Sequence, residues 1–374
     1  MDKPRVIAYG FIGIEPMPFA IVAAMAGRIQ LANFMTPFLL AFLCEPVTKA
    51  PLQLVGAVTS ADGNIEAGAL VTPAGKRYPI INGIPRFVDS VKTETVESFG
   101  DEWNHFNFTD FKINWLEHTV ANTFGSTDAF KDKLIVDAGG GSGAQTKWFA
   151  EYGASHVIMM DLSHSVDDVV QRNLAGLRNV DVIQCSIDAP PLRDKSIDGI
   201  VYCHNVIQHT PSVEKTAHAL YALTATSGEF VFNCYPLNDQ GLLRWVRWHV
   251  VYEPLRAVLS HMPFGVIVHY SRVMAALRFV PGLGAFLEAA GFCMQGDVPR
   301  LEGESGWARV KRRFKNTSLN TFDWYGSHEY QHHKADAEIR ALATALQPNL
   351  AKVANLDKYF LRPPLIGCAL RIFR

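Results

Sequence analysis

From residue 134 onward, short apolar runs of strand length alternate with stretches of helical period. The runs at 134–137, 156–161, 180–185, 197–204 and 228–235 read as strands, and 145–152, 166–177 and 213–224 read as helices between them. Such alternation predicts βαβ units and a largely parallel sheet. After Pro236 the pattern changes. Residues 238–320 carry Leu242, Leu243, Val246, His249 and Val250 at helical spacing, with Pro254, Pro263 and Pro281 as breakers, which predicts a helical insertion. A helix at 335–346 and two strands near 350–359 and 366–373 follow, so the expected sheet has seven strands ending in an antiparallel pair. No internal repeat at solenoid periods interrupts this order.

Upstream, 52–55, 68–71 and 77–88 are strand-like runs between turn signals, predicting a small β unit over 45–90. Residues 1–44 are strongly apolar. Their uncharged runs break at Glu15 and Arg28, and 29–44 falls short of the roughly 18 residues a spanning helix needs. No small-residue cleavage site follows a compact apolar core near residue 20, so neither a signal peptide nor a transmembrane segment is expected. Peripheral contact with a membrane surface stays open.

A chain of 374 residues, 48% hydrophobic and 19% charged, buries a sizeable core. Its 35 Lys and Arg against 36 Asp and Glu give a net charge of −1, which offers no general grip on a phosphate backbone and disfavours nucleic acid as a partner. The six cysteines lie far apart without a C-x-x-C pair or zinc-like His spacing. Buried reduced thiols in a cytoplasmic protein are expected, and no metal site.

Candidate chemistry concentrates at Val136-Asp-Ala-Gly-Gly-Gly-Ser-Gly-Ala144, where a strand runs into a glycine turn and then a helix. Gly139, Gly141 and Gly143 let the backbone turn sharply and approach a ligand, while the helix start presents free amides. Asp161 ends the next strand about twenty residues on, where a carboxylate can accept both hydroxyls of a ribose. A nucleotide-like cofactor is implied. Taken alone, these residues also satisfy the dinucleotide fingerprint of NAD(P)-dependent oxidoreductases.

The surrounding residues resemble the class I S-adenosylmethionine-dependent methyltransferases of the ubiquinone/menaquinone type. Residues 135–143 look like the first motif of that family, and Met160-Asp-Leu-Ser163 like its ribose-binding strand end. Gln184–Leu192 with Lys195–Ile200, and then Cys203-His-Asn-Val-Ile-Gln-His-Thr-Pro211, are similar to the segments around its third and fourth strands. The resemblance implies a Rossmann-like domain formed by 131–237 and 321–374, with 238–320 as a helical lid after strand five. It implies S-adenosylmethionine as cofactor, held by Asp137, Gly139, Gly141, Gly143, Asp161, Ser186, Ile187 and Asn205. Ser186 stands where the family often has Asp, and Asp188 is the candidate substitute.

Residues 45–90 are similar to a zinc-ribbon-like domain that precedes many bacterial methyltransferases, and 91–130, with Ser98–Phe106, to their connector. Here the paired cysteines are missing and Cys44 alone remains, so that domain is expected without zinc, with a structural or partner-facing role.

Methyl transfer from a sulfonium needs alignment and exclusion of water, and a base when the acceptor is a hydroxyl or protonated amine. His209 is the first candidate, and His204, His328, His332 and His333 are others. The neutral charge and aromatic-rich insertion favour a small or lipid-like acceptor. The rival readings are an NAD(P)-dependent oxidoreductase, a catalytically inactive binding module of this fold, and an RNA methyltransferase.

Overall fold

In the computed structural model, residues 35–88, 111–237, 239–294, 303–326, 330–362 and 364–374 are described. They fall in the second of two units into which the chain divides, Ala32–Arg374. The expectations for residues 1–34, for the connector motif at 98–106 and for His328 lie outside the described residues.

Four antiparallel strands come first: β1 (Gln53–Thr59), β2 (Ile65–Val71), β3 (Arg77–Ile81) and β4 (Ile84–Pro85), in that spatial order. Asn82 and Gly83 both adopt left-handed backbone and close the tight β3–β4 hairpin, as a two-residue turn requires. This small sheet has no core of its own. Ile65, Leu70, Tyr78 and Ile80 pack in one cluster with Leu43, Ile183, Cys185 and Leu192 of the main body. The chain then runs on beside the main sheet, where the Phe87 amide donates to the Gln184 carbonyl at 2.8 Å.

The main sheet holds β5 (Leu134–Ala138), β6 (His156–Asp161), β7 (Val180–Gln184), β8 (Ile200–Cys203) and β9 (Glu229–Phe232), all parallel. Residues of β5, β6 and β8 are buried throughout, as strands covered on both faces must be. A short parallel pair, β10 (Tyr235–Pro236) with β11 (His333–Lys334), brackets the insertion. β12 (Val353–Ala354) pairs antiparallel with β13 (Leu370–Phe373), and β13 antiparallel with β9. The sheet reads β12-β13-β9-β8-β5-β6-β7. Order reverses between β5 and β8, which makes the carboxyl ends of those strands the crevice where open α/β sheets take ligands.

Helices α1 (Ala144–Glu151) and α2 (Val213–Leu223) fill the crossovers, close to expectation. The helix expected at 166–177 is shorter, Val169–Leu174, because Asp168 breaks from helical geometry at φ −133°, ψ −89°. Within the insertion, helical residues 242–259 contain a wide turn, Arg247–Tyr252, that sends Trp248 and Tyr252 into a cluster with Tyr325 and Met294. α3 (Phe264–Leu277) then packs against α4 (Gly306–Tyr325). Phe264 meets Phe322 at 5.2 Å, Ser271 meets Ser318 at 3.1 Å and Phe279 meets Arg313 at 5.5 Å, so the two run antiparallel.

The expected boundary at 320/321 falls inside α4, whose pattern is continuous there. α5 (Asp336–Leu346) matches the expected helix, but the strand expected over 350–359 is only β12, since left-handed Asn355 ends it. No helix of the described residues is long and apolar enough to cross a membrane.

Candidate functional site

At the end of β5 the chain turns through Gly139, Gly141 and Gly143, all with positive φ. The amides of Gly139 and Gly140 both donate to the Met160 carbonyl, at 2.7 and 3.2 Å, locking the turn onto the end of β6. Two glycines are sterically required. A Cβ on Gly139 would meet Val206 Cγ1 at 2.3 Å, and one on Gly140 would meet Met159 Cγ at 2.6 Å. Gly143 in left-handed conformation opens α1.

Asp161 is buried against this turn. Its Oδ2 accepts the Gly141 amide hydrogen at 2.7 Å, and its Oδ1 accepts from the Ser163 amide and hydroxyl at 2.8 and 2.6 Å. Ser165 completes the knot by donating to the Gly141 carbonyl at 2.9 Å. Burial raises the Asp161 carboxyl above its ordinary range, against the lowering effect of those donors. Ser163 falls in the strand-end motif Met160–Ser163 read from the sequence, as Asp-x-Ser turn chemistry allows, while Ser165 was not singled out. Asp137, one strand over, accepts from Thr146 Oγ1 at 2.6 Å; burial, aided by the charge of Asp161, pushes its carboxyl up to about 7.

Past β7, Ser186 donates to Asp188 at 2.5 Å, so the residue at the usual Asp position and its candidate substitute form one polar pair beside buried Ile187. Arg86 lies at the same edge. Its guanidinium donates to Gln184 Oε1 at 2.9 Å and forms an ion pair with Asp167, at 2.5 and 3.1 Å, tying the small sheet to the loop after β6. Nothing in the sequence pattern marked Arg86.

After β8, Asn205 adopts left-handed backbone and exchanges two bonds of 2.6 Å with Asn233, one from its amide to Oδ1 and one from Asn233 Nδ2 to Asn205 Oδ1. The pair lines a cavity of about 190 Å³, walled further by Tyr235, Lys334, Ile339 and Ile366. No residue of the glycine turn lines this cavity.

The histidines separate clearly. His204 Nε2 donates to the Gly367 carbonyl at 3.1 Å, and burial lowers its imidazole to about 4, which makes it a neutral structural group. His209 is buried, donates from Nδ1 to the Tyr330 carbonyl at 3.2 Å and stands edge-on to Tyr235 at 5.7 Å. His332 Nε2 meets the Thr210 carbonyl at 3.1 Å, and the His332 amide donates to the Gln208 carbonyl at 2.9 Å. His333 sits among Trp248, Trp324, Tyr235 and Tyr252, and burial lowers it to about 3. Segments 207–210 and 330–333 are therefore laced together.

Four buried polar atoms on these two segments find no partner among the described residues: both ends of the Gln208 carboxamide, Gln331 Nε2 and His333 Nε2. Buried polar groups are nearly always paired, and such a concentration marks a place where a ligand can supply the missing bonds. Gln208 is 0% exposed and was not singled out from sequence. All six cysteines are buried and unbridged, as expected.

Residues 136–232 match the family model described as a methyltransferase domain. No curated protein matches the sequence. Among solved structures, an S-adenosylmethionine-dependent methyltransferase from Mesorhizobium loti is 24% identical over 30% of this chain and 51% of its own, with a TM-score of 0.27. A Listeria monocytogenes protein described as an S-adenosylmethionine-dependent methyltransferase is 21% identical over 30% and 58%, at 0.26. The complex containing the Trm112 methyltransferase activator of Haloferax volcanii overlaps at 17% identity over 38% and 61%, at 0.31. The chain thus spans between half and two thirds of the length of those proteins, and overlaps of this size carry nothing about its activity. Residues 136–232, with the glycine turn, Asp161 and the segment after β8, are what this chain shares with the methyltransferase-domain family.

Proposed function

We propose that the protein moves the methyl group of S-adenosylmethionine, in line, onto an oxygen, nitrogen or carbon of a small or lipid-like acceptor. The observation that carries this reading is the knot of Asp161, Gly141, Ser163 and Ser165 at the switch point of the sheet. A tight glycine turn backed by a buried carboxylate fits a nucleoside-bearing ligand, and two buried carboxyls, Asp137 and Asp161, suit one that carries positive charge.

When bound, the sulfonium supplies an activated methyl with its own leaving group. The residues of this chain then have to hold and shield it. Gly139, Gly141 and Gly143 with α1 would take the polar end of the cofactor, Asp161 the ribose, and Ser186 with Ile187 the adenine. Asp137 and Asn205 would complete the ring of contacts.

On the acceptor side, His209 is the proposed base. Donation from its Nδ1 to the Tyr330 carbonyl fixes the tautomer in which Nε2 carries the lone pair. The aromatic cluster of the insertion supports an apolar acceptor, and Gln208 would anchor that acceptor's polar group. Six buried, unbridged thiols agree with a cytoplasmic setting.

Transfer of labelled methyl from S-adenosylmethionine into an extract, partitioned between organic and aqueous phases, tests the reading. Label accumulating in the organic phase supports it. Cofactor binding with no transfer to either phase favours an inactive module instead.

A further inference from the structure

The α3–α4 hairpin ends in residues 278–286 and 303–313, which adjoin because Phe279 lies under the Arg313 guanidinium at 5.5 Å. Trp307 is 67% and Phe286 60% exposed, and Phe279, Val280, Leu283 and Val310 are exposed with them. Interspersed in 278–288 and 303–313 are five cations (Arg278, Arg309, Lys311, Arg312 and Arg313) against two carboxylates, Glu288 and Glu304, in a protein whose net charge is −1. Glu304 is engaged by Arg312, and Arg278 by Glu288 from the neighbouring helix. Lys311 lies over the Trp307 ring at 5.5 Å, so aromatic and cation share one spot.

We infer that this hairpin end docks on the surface of an anionic lipid bilayer. Exposed Trp, Phe and aliphatic side chains enter the headgroup region, and the surrounding lysine and arginine meet its negative charge. Charge decides among possible occupants. A second copy of the chain would bring the same excess of cations. The apolar residues 6–31 of this chain hold one carboxylate, Glu15, and cannot answer them. With no described helix able to span, the contact is interfacial. It stands on exposed side chains and not on methyl transfer, so either reading can fail alone.

The test is co-sedimentation of the full chain with vesicles of phosphatidylcholine, with and without phosphatidylglycerol. Two double variants accompany it, Phe286→Ser with Trp307→Ser and Arg309→Glu with Lys311→Glu. All four side chains are exposed, so circular dichroism melting and S-adenosylmethionine affinity should not change. The expected result is retention on the phosphatidylglycerol vesicles that weakens with salt and falls about ten-fold or more in each double variant. Absence of the unaltered protein from the anionic vesicles overturns the inference, as does binding by both variants equal to its own.

Discussion

Asp161 takes the Gly141 amide hydrogen at 2.7 Å, joining the end of one central strand to the turn that leaves its neighbour. The same carboxylate therefore shapes the glycine turn and would receive the ribose. Replacing Asp161 by Ala should weaken S-adenosylmethionine binding at least about ten-fold, the scale of one charge-assisted hydrogen bond at about 1.5–3 kcal/mol. Isothermal titration with circular dichroism as a folding control reads it. Unchanged affinity would remove Asp161 from the binding site.

Gly139→Ala should destabilise the domain by about 1–3 kcal/mol, since the new Cβ overpacks against a neighbour and the backbone keeps a positive φ. The neighbour is Val206 Cγ1, at 2.3 Å. Adding Val206→Ala should restore part of the loss, leaving only the backbone strain. A thermal melt of the three variants tests this, and no rescue would mean that the turn itself, not Val206, sets the requirement.

The central strands were legible because strands buried on both faces are mostly apolar, and 134–138 lies between Lys133 and Gly139 while 180–184 follows Asn179. The glycine turn and Asp161 were legible for the same local reason. What escaped depends on the fold. Arg86 meets Gln184 and Asp167 only because the small sheet lies along β7, a tertiary contact with no periodicity to announce it. Gln208 looks like any polar loop residue until segment 330–333 covers it. The boundary at 320 was misplaced because an amphipathic helix shows no break where its packing partner changes from insertion to domain.

Asp137 gives a pH signature. Its carboxyl is raised from 3.8 to about 7, so between those values the folded chain holds a proton that the unfolded chain has lost. The stability it contributes is full below the unfolded value and is lost as pH rises through about 7. Asp137→Asn should flatten that part of the fall in melting temperature between pH 4 and 7. If the wild-type and variant curves run parallel, Asp137 is not the titrating group.

Gln208→Met removes a fully buried carboxamide that has no partner among the described residues. Burying such a group costs about 1–3 kcal/mol, so the variant should melt at the same temperature or higher. Methyl transfer to the acceptor should nevertheless drop. A lower melting temperature would show that the carboxamide already serves the fold.

The most direct measurement is calorimetric titration of the purified protein with S-adenosylmethionine, S-adenosylhomocysteine, NADH and NADPH in one buffer. The account predicts micromolar binding of the first two and none of the nicotinamides. Binding of a nicotinamide, or silence from all four, would contradict it.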